Sequence, residues 1–148
     1  MFQGASQINL DAKGRMAVPT RLRDPLTQGG TVGVVLTAHP EGCLLLYPIP
    51  AWDPVRARVM AFPSTNPQAS LWKRLLIGFA EELVPDGAGR LLISPELRAY
   101  ARIDQRVMCV GQGSHFEIWD LEGWNQQLER LRSGGFAALP PGMENFSL

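Results

Sequence analysis

Cysteine and histidine are scarce: the 148 residues hold only Cys43 and Cys109, His39 and His115. Two cysteines fit no metal-binding spacing and are too few for a disulfide framework, so both are expected to be reduced core residues. No metal or other cofactor is implied. The histidines stand in turn-like contexts without a recognisable serine or cysteine partner, which argues against nucleophilic catalysis and places both at the surface. Long apolar runs are missing too. The longest, Cys43 to Tyr47, falls far short of the ~20 residues that a membrane-spanning helix needs. The N-terminus, Met1-Phe2-Gln3-Gly4-Ala5, has neither a basic leader nor an apolar signal core, and the expected compartment is the cytoplasm.

Net charge is also absent, with 14 basic and 14 acidic residues. A uniformly basic, polyanion-binding surface is thereby excluded. The average conceals a division, because residues 1–74 hold eight Lys/Arg against four Asp/Glu and residues 75–148 hold six against ten. Segregated charge of this kind lets one face attract nucleic acid while another stays neutral or acidic, although it also fits ordinary surface variation.

What the chain does have is a duplication. Asp11-Ala12-Lys13-Gly14-Arg15 recurs 75 residues later as Asp86-Gly87-Ala88-Gly89-Arg90. Each copy leads into an apolar segment, Met16-Ala17-Val18 or Leu91-Leu92-Ile93, and then into Pro19 with Leu22-Arg23 or Pro95 with Leu97-Arg98. The two prolines are one residue out of step. Further on, Cys43 to Pro48 aligns with His115 to Asp120 at a spacing of 72, and the same offset carries Trp52 onto Trp124. Ordered blocks with small shifts in offset are what loop insertions leave between fixed core positions.

Each copy reads as hairpin, short helix, hairpin. Residues 6–11 alternate polar and apolar as a half-buried strand, a turn follows at Lys13-Gly14, and Met16 to Val18 is expected to pair back as the second arm. Residues 31–36 and Cys43 to Tyr47 form a second pair. Asp53-Pro54 and Asn66-Pro67 are helix starts, an acceptor side chain followed by a proline. The second start predicts a helix from Pro67 to Glu82 with Leu71, Leu75 and Phe79 along one face. Asp120 is expected to cap a last helix whose apolar stripe is Leu121, Trp124, Leu128 and Leu131. The expected organisation is a first repeat over 1–62, a linking helix over 63–82, a second repeat over 83–132 and a flexible tail over 133–148. The fold class is α+β, mainly β. Isolated hairpins are unstable, so the two units are expected to close into a pseudo-twofold β-barrel with flanking helices.

The duplicated turn admits two readings. Arg15 and Arg90 have guanidinium forks suited to phosphate and to the O6/N7 edge of guanine, with Lys13 adding a phosphate contact. Alternatively, Asp11 and Asp86 accept turn amides while the arginines pair with them as structural ion pairs. Gly14 and Gly89 shape the turns in either case. A third arrangement, two carboxylates sharing a proton, needs a small hydroxyl residue and a glycine after each Asp, and Asp11 is followed by Ala12-Lys13. The chain is therefore read as a non-enzyme with no small-molecule substrate. Trp52 and Trp124 suit core anchoring better than base stacking. Arg56 and Arg58 read as the solvated face of the first long helix.

Several segments, taken in order, resemble the MraZ family of bacterial transcription regulators: Met1-Phe2-Gln3-Gly4, Asn9 to Arg15, Val18-Pro19-Thr20-Arg21, Leu44 to Pro48, Asp86 to Ile93 and Val110-Gly111-Gln112. The resemblance runs from Met1 to about Leu131. It implies tandem AbrB-like (SpoVT-type) swapped-hairpin units assembled into a ring-shaped homo-oligomer. It also implies a nucleoid-associated protein that binds double-stranded DNA at short guanine-containing direct repeats, repressing a division and cell-wall gene cluster and its own promoter. The DNA contacts carry over to Lys13, Arg15, Arg21 and Arg90. Gln3 stands where many members have a basic residue, and the Gly/Pro-rich tail departs from the pattern. An antitoxin-like or scaffold interaction module is the alternative.

Overall fold

The computed structural model describes residues 1–28, 33–134 and 139–148. Eight strands and five helices alternate along it. In order they are β1 Ala5–Asn9, β2 Arg15–Ala17, α1 Thr20–Thr27, β3 Val34–Ala38, β4 Leu44–Pro48, α2 Ile49–Met60 and α3 Pro67–Leu76. The second half continues with β5 Glu81–Leu83, β6 Arg90–Leu92, α4 Pro95–Tyr100, β7 Arg106–Gly111, β8 Phe116–Asp120 and α5 Leu121–Arg132. Mixed, β-rich α+β structure is as expected, although among the described residues more lie in helices than in strands.

Strand order shows how the two copies are joined. A six-stranded antiparallel sheet runs β1-β7-β8-β4-β3-β5, and β2 pairs with β6 in a separate two-stranded sheet. The first strand of each copy thus pairs with the third strand of the other: β1 lies on β7 and β5 on β3. The fourth strands, β4 and β8, meet in the middle. The expectation that Met16 to Val18 folds back on the preceding strand is therefore corrected. Three residues carry too little pattern to set a partner, and the Asp11 turn instead delivers β2 to β6 with Met16 opposite Leu91. The expected barrel closure is not made by strand pairing either, since the sheet ends at β1 and β5 among the described residues.

Burial follows the strand period of two. Leu44 and Leu46 face the main core with Leu36, Met16, Leu91, Ile93, Leu97 and Ile118. Leu45 and Tyr47, on the other face, pack with Val35, Trp52, Val59 and Leu76 under α2 and α3. Strand β4 is covered on both sides, which explains its unbroken apolar run. Trp52 is buried, and Trp124 packs on Trp119 at 6.4 Å, so both tryptophans anchor helices as expected.

Three helix expectations change. Helix α2 begins at Ile49 directly after β4, and Asp53-Pro54 lies inside it. Its cap position is Pro48, which has no side-chain acceptor to betray a helix start. Helix α5 begins at the equivalent point, but there Asp120 accepts the Gly123 amide at 3.4 Å, and the cap was legible. Helix α3 starts as expected, with Asn66 accepting the Gln68 and Ala69 amides, yet it ends at Leu76 rather than Glu82. The chain turns at Ile77 to Ala80, and Glu81–Leu83 becomes β5 because strand β3 offers its free edge. Of the stripe on α5, Leu131 stays exposed. Residues 31 and 32, and 135–138 of the expected tail, lie outside the described residues. Residues 139–148 are exposed and form no helix or strand.

Candidate functional site

The two Asp-x-x-Gly-Arg turns are built alike to within 0.2 Å in their hydrogen bonds. In the first, Asp11 Oδ1 accepts the amides of Lys13 at 3.0 Å and Arg15 at 2.9 Å, while Oδ2 accepts Arg15 Nε at 2.6 Å. In the second, Asp86 Oδ1 accepts Ala88 N at 3.0 Å and Arg90 N at 2.9 Å, and Oδ2 accepts Arg90 Nε at 2.8 Å. Backbone bonds close each loop: Gly14 N donates to Asp11 O at 3.0 Å and Gly89 N to Asp86 O at 2.9 Å. Each aspartate therefore does what a turn carboxylate does, and also fixes the arginine stem.

Electrostatics follow from that wiring. The amide of Arg15 holds the Asp11 carboxyl below its usual range, helped by the Arg15 side chain, and the Arg90 amide does the same for Asp86. In both turns the arginine's Nε is taken up by the carboxylate of its own turn. The Arg15 side chain is 29% exposed and that of Arg90 36% exposed, so both guanidinium groups are partly open to solvent. The structural ion pair is thus made in both turns, and neither arginine is fully buried by it.

Glycine is required at the turns. Gly14 has φ +85° and Gly89 φ +73°, in the left-handed region that other residues reach only with strain. The turns are also tied to the opposite copy. Val18 N donates to Gly89 O and Ile93 N to Gly14 O, both at 3.0 Å, which carries the β2–β6 pairing into the loops. Of the other expected residues, Lys13 is exposed on the first turn and Arg21 is exposed on α1, where it donates to Ser6 Oγ at 3.2 Å. The second turn has Ala88 where the first has Lys13.

Two residues escaped the sequence reading as site components. Arg98 of α4 lies across Gly14, and Arg23 of α1 lies across Gly89. The signal was present in the repeated Leu22-Arg23 and Leu97-Arg98 pairs, but nothing in a linear pattern says that each packs on the other copy's turn. The histidines are only partly exposed: His115 stacks on Tyr47 at 4.4 Å, and His39 O accepts the Tyr100 hydroxyl at 2.6 Å. Among the described residues no cluster of His, Cys, Asp and Glu could hold a metal, and no helix is long and apolar enough to cross a membrane. Burial raises both cysteine thiols, that of Cys109 to about 12.

The family model described as "MraZ protein, putative antitoxin-like" matches the chain twice, over residues 1–75 and 76–141. The chain belongs to the MraZ family. Its two matches divide the chain where the 75-residue spacing of the turns does. Similar MraZ proteins include the transcriptional regulator MraZ of Methylobacillus flagellatus, 53% identical over 148 residues with both chains fully covered. Those of Aromatoleum aromaticum and Dechloromonas aromatica, with the same name, are each 49% identical over the full length of both chains.

Proposed function

We propose that this chain is a sequence-specific DNA-binding transcriptional regulator. Its targets are short guanine-containing direct repeats upstream of division and cell-wall genes and of its own gene, which it represses. The observation that carries the proposal is the duplicated turn, which presents an arginine fork on a carboxylate-locked stem in both copies. Such a fork matches the O6/N7 edge of guanine, and each good bidentate contact discriminates by about 1–3 kcal/mol. Lys13 and Arg21 supply phosphate contacts. Ring-shaped assembly multiplies these contacts over repeated sites, so a chain without net charge binds DNA through many weak local patches. Cross-pairing of β1 with β7 and of β2 with β6 supports swapped-hairpin units as the scaffold.

Fluorescence anisotropy with the DNA upstream of the protein's own coding sequence, against a scrambled duplex, tests the assignment. Wild type is expected to prefer the upstream DNA, and Arg15→Ala to lose that preference while keeping its circular dichroism spectrum. Unchanged affinity of Arg15→Ala sinks the assignment of the turn. Equal wild-type binding to both duplexes would instead favour an interaction module.

A further inference from the structure

The arginines on the two short helices do not serve the turns of their own copy. A Cβ built on Gly14 would come 2.7 Å from Arg98 Cζ and 2.9 Å from its Nε and Nη1. On Gly89 a Cβ would run into the Arg23 guanidinium, with Arg23 Cδ at 2.8 Å. In each case a planar group rests on the bare Cα of a left-handed glycine. The relation is reciprocal because the β2–β6 pairing places each turn under the opposite copy's helix. The two contacts differ in one respect. Arg23 Nε donates to Val18 O at 2.9 Å, whereas Arg98 Nε is buried without any hydrogen-bond partner among the described residues. A buried orphan donor calls for an explanation, since a lysine or leucine stem would bury no such group.

We propose that Arg98 and Arg23 are positioning residues: Arg98 sets the turn that carries Lys13 and Arg15, and Arg23 sets the turn that carries Arg90. The flat guanidinium is retained at 98 because its plane, rather than its donors, is what the Gly14 backbone leans on. Each DNA-contacting turn is thereby shaped by the other half of the chain, and disturbing one helix disturbs the distant copy's turn before its own. The DNA consequence rests on the regulator reading above, while the turn geometry itself does not.

Amide hydrogen exchange on the full chain, without DNA, reads the positioning directly. Arg98→Ala is expected to speed exchange at residues 13–15 on the order of tenfold while leaving 88–90 unchanged, and Arg23→Ala to give the converse. Arg98→Lys, which keeps the charge and stem but loses the plane, should show the same pattern more weakly and guards against outright unfolding of the alanine variant. Uniform acceleration across the chain, or acceleration confined to the variant's own copy, overturns the proposal. In the anisotropy assay Arg98→Ala should lose on the order of tenfold in specific affinity, and Arg98→Ala combined with Arg15→Ala should lose less than the two single losses together, the remainder coming from Lys13 on the same turn. Fully additive losses also overturn it, by making Arg98 an independent contact. Failure of the wild type to prefer the upstream DNA would sink the regulator reading, and the exchange pattern would still decide the positioning role.

Discussion

Arg90 Nη1 of the second turn stands 3.9 Å from Asp11 Oδ2 of the first, so a single carboxylate faces both arginines. Asp86 has no matching contact with Arg15 among the described residues. Asp11→Asn is therefore expected to lower the melting temperature more than Asp86→Asn does. Equal losses in a thermal scan would show that the bridge between the turns contributes nothing.

Acid should expose the same carboxylates. Both aspartates have folded-state pKa values below the ordinary 3.8, so their contribution to stability is complete above that pH and is lost as pH falls through the lowered values. Wild type and an Asp11→Asn, Asp86→Asn double variant should accordingly differ in melting temperature at neutral pH and draw together as the pH falls through the lowered carboxyl values. A gap that persists undiminished at pH 2 would mean that the ionised turns are not its source.

Glycine substitutions separate backbone strain from crowding. Gly42 has φ +92°, and a methyl group placed on its Cα would have nothing within 4 Å, so its mutation to alanine should cost about 1–2 kcal/mol. Gly14→Ala meets the same strain and also displaces Arg98, so its loss in urea unfolding should exceed that of Gly42→Ala. Equal losses at Gly14 and Gly42 would show that Arg98 moves aside freely.

These positions show how much was legible beforehand. The turns could be read because Asp, Gly and Arg each fill a local role there, and repetition made the pattern visible against the background. Asp120 and Asn66 were readable as caps for the same reason, since their side chains do the capping. Partners were not readable. Strand β2 has three residues, and nothing within Arg15–Ala17 distinguishes β6 from β1 as its neighbour. The end of α3 was hidden because Phe79 continues the helical spacing, while the demand for a strand at Glu81 comes from the edge of β3. What escaped was long-range: the reciprocal packing of Arg23 and Arg98 follows from pairing between copies.

At the centre of the molecule, Met16 and Leu91 face each other across β2 and β6, each 1% exposed. Met16→Ala or Leu91→Ala should each cost about 2–5 kcal/mol in denaturant unfolding. The neighbouring Leu92, 48% exposed, should tolerate serine within about 0.5 kcal/mol. Similar losses at all three positions would contradict the burial seen here.

Lys13 distinguishes the first turn from the second, where Ala88 takes its place. Replacing Lys13 with alanine should weaken binding to all duplexes alike and reduce the slope of log affinity against log salt by about 1 per site engaged. Arg15→Ala should cost more than Arg90→Ala, because the first turn has the additional cation. The reverse ranking would assign the reading role to the acidic half.

The palindromic strand order carries a consequence for how the chain comes together. Neither half has a complete set of neighbours, because the β1 position of one is filled only by β7 of the other. The loop between Met60 and Pro67 and helix α3 thus act as a tether that holds one half at high local concentration around its complement. Cut within that tether, folding would become a second-order reaction whose midpoint depends on protein concentration, and unpaired halves would recruit each other from separate molecules.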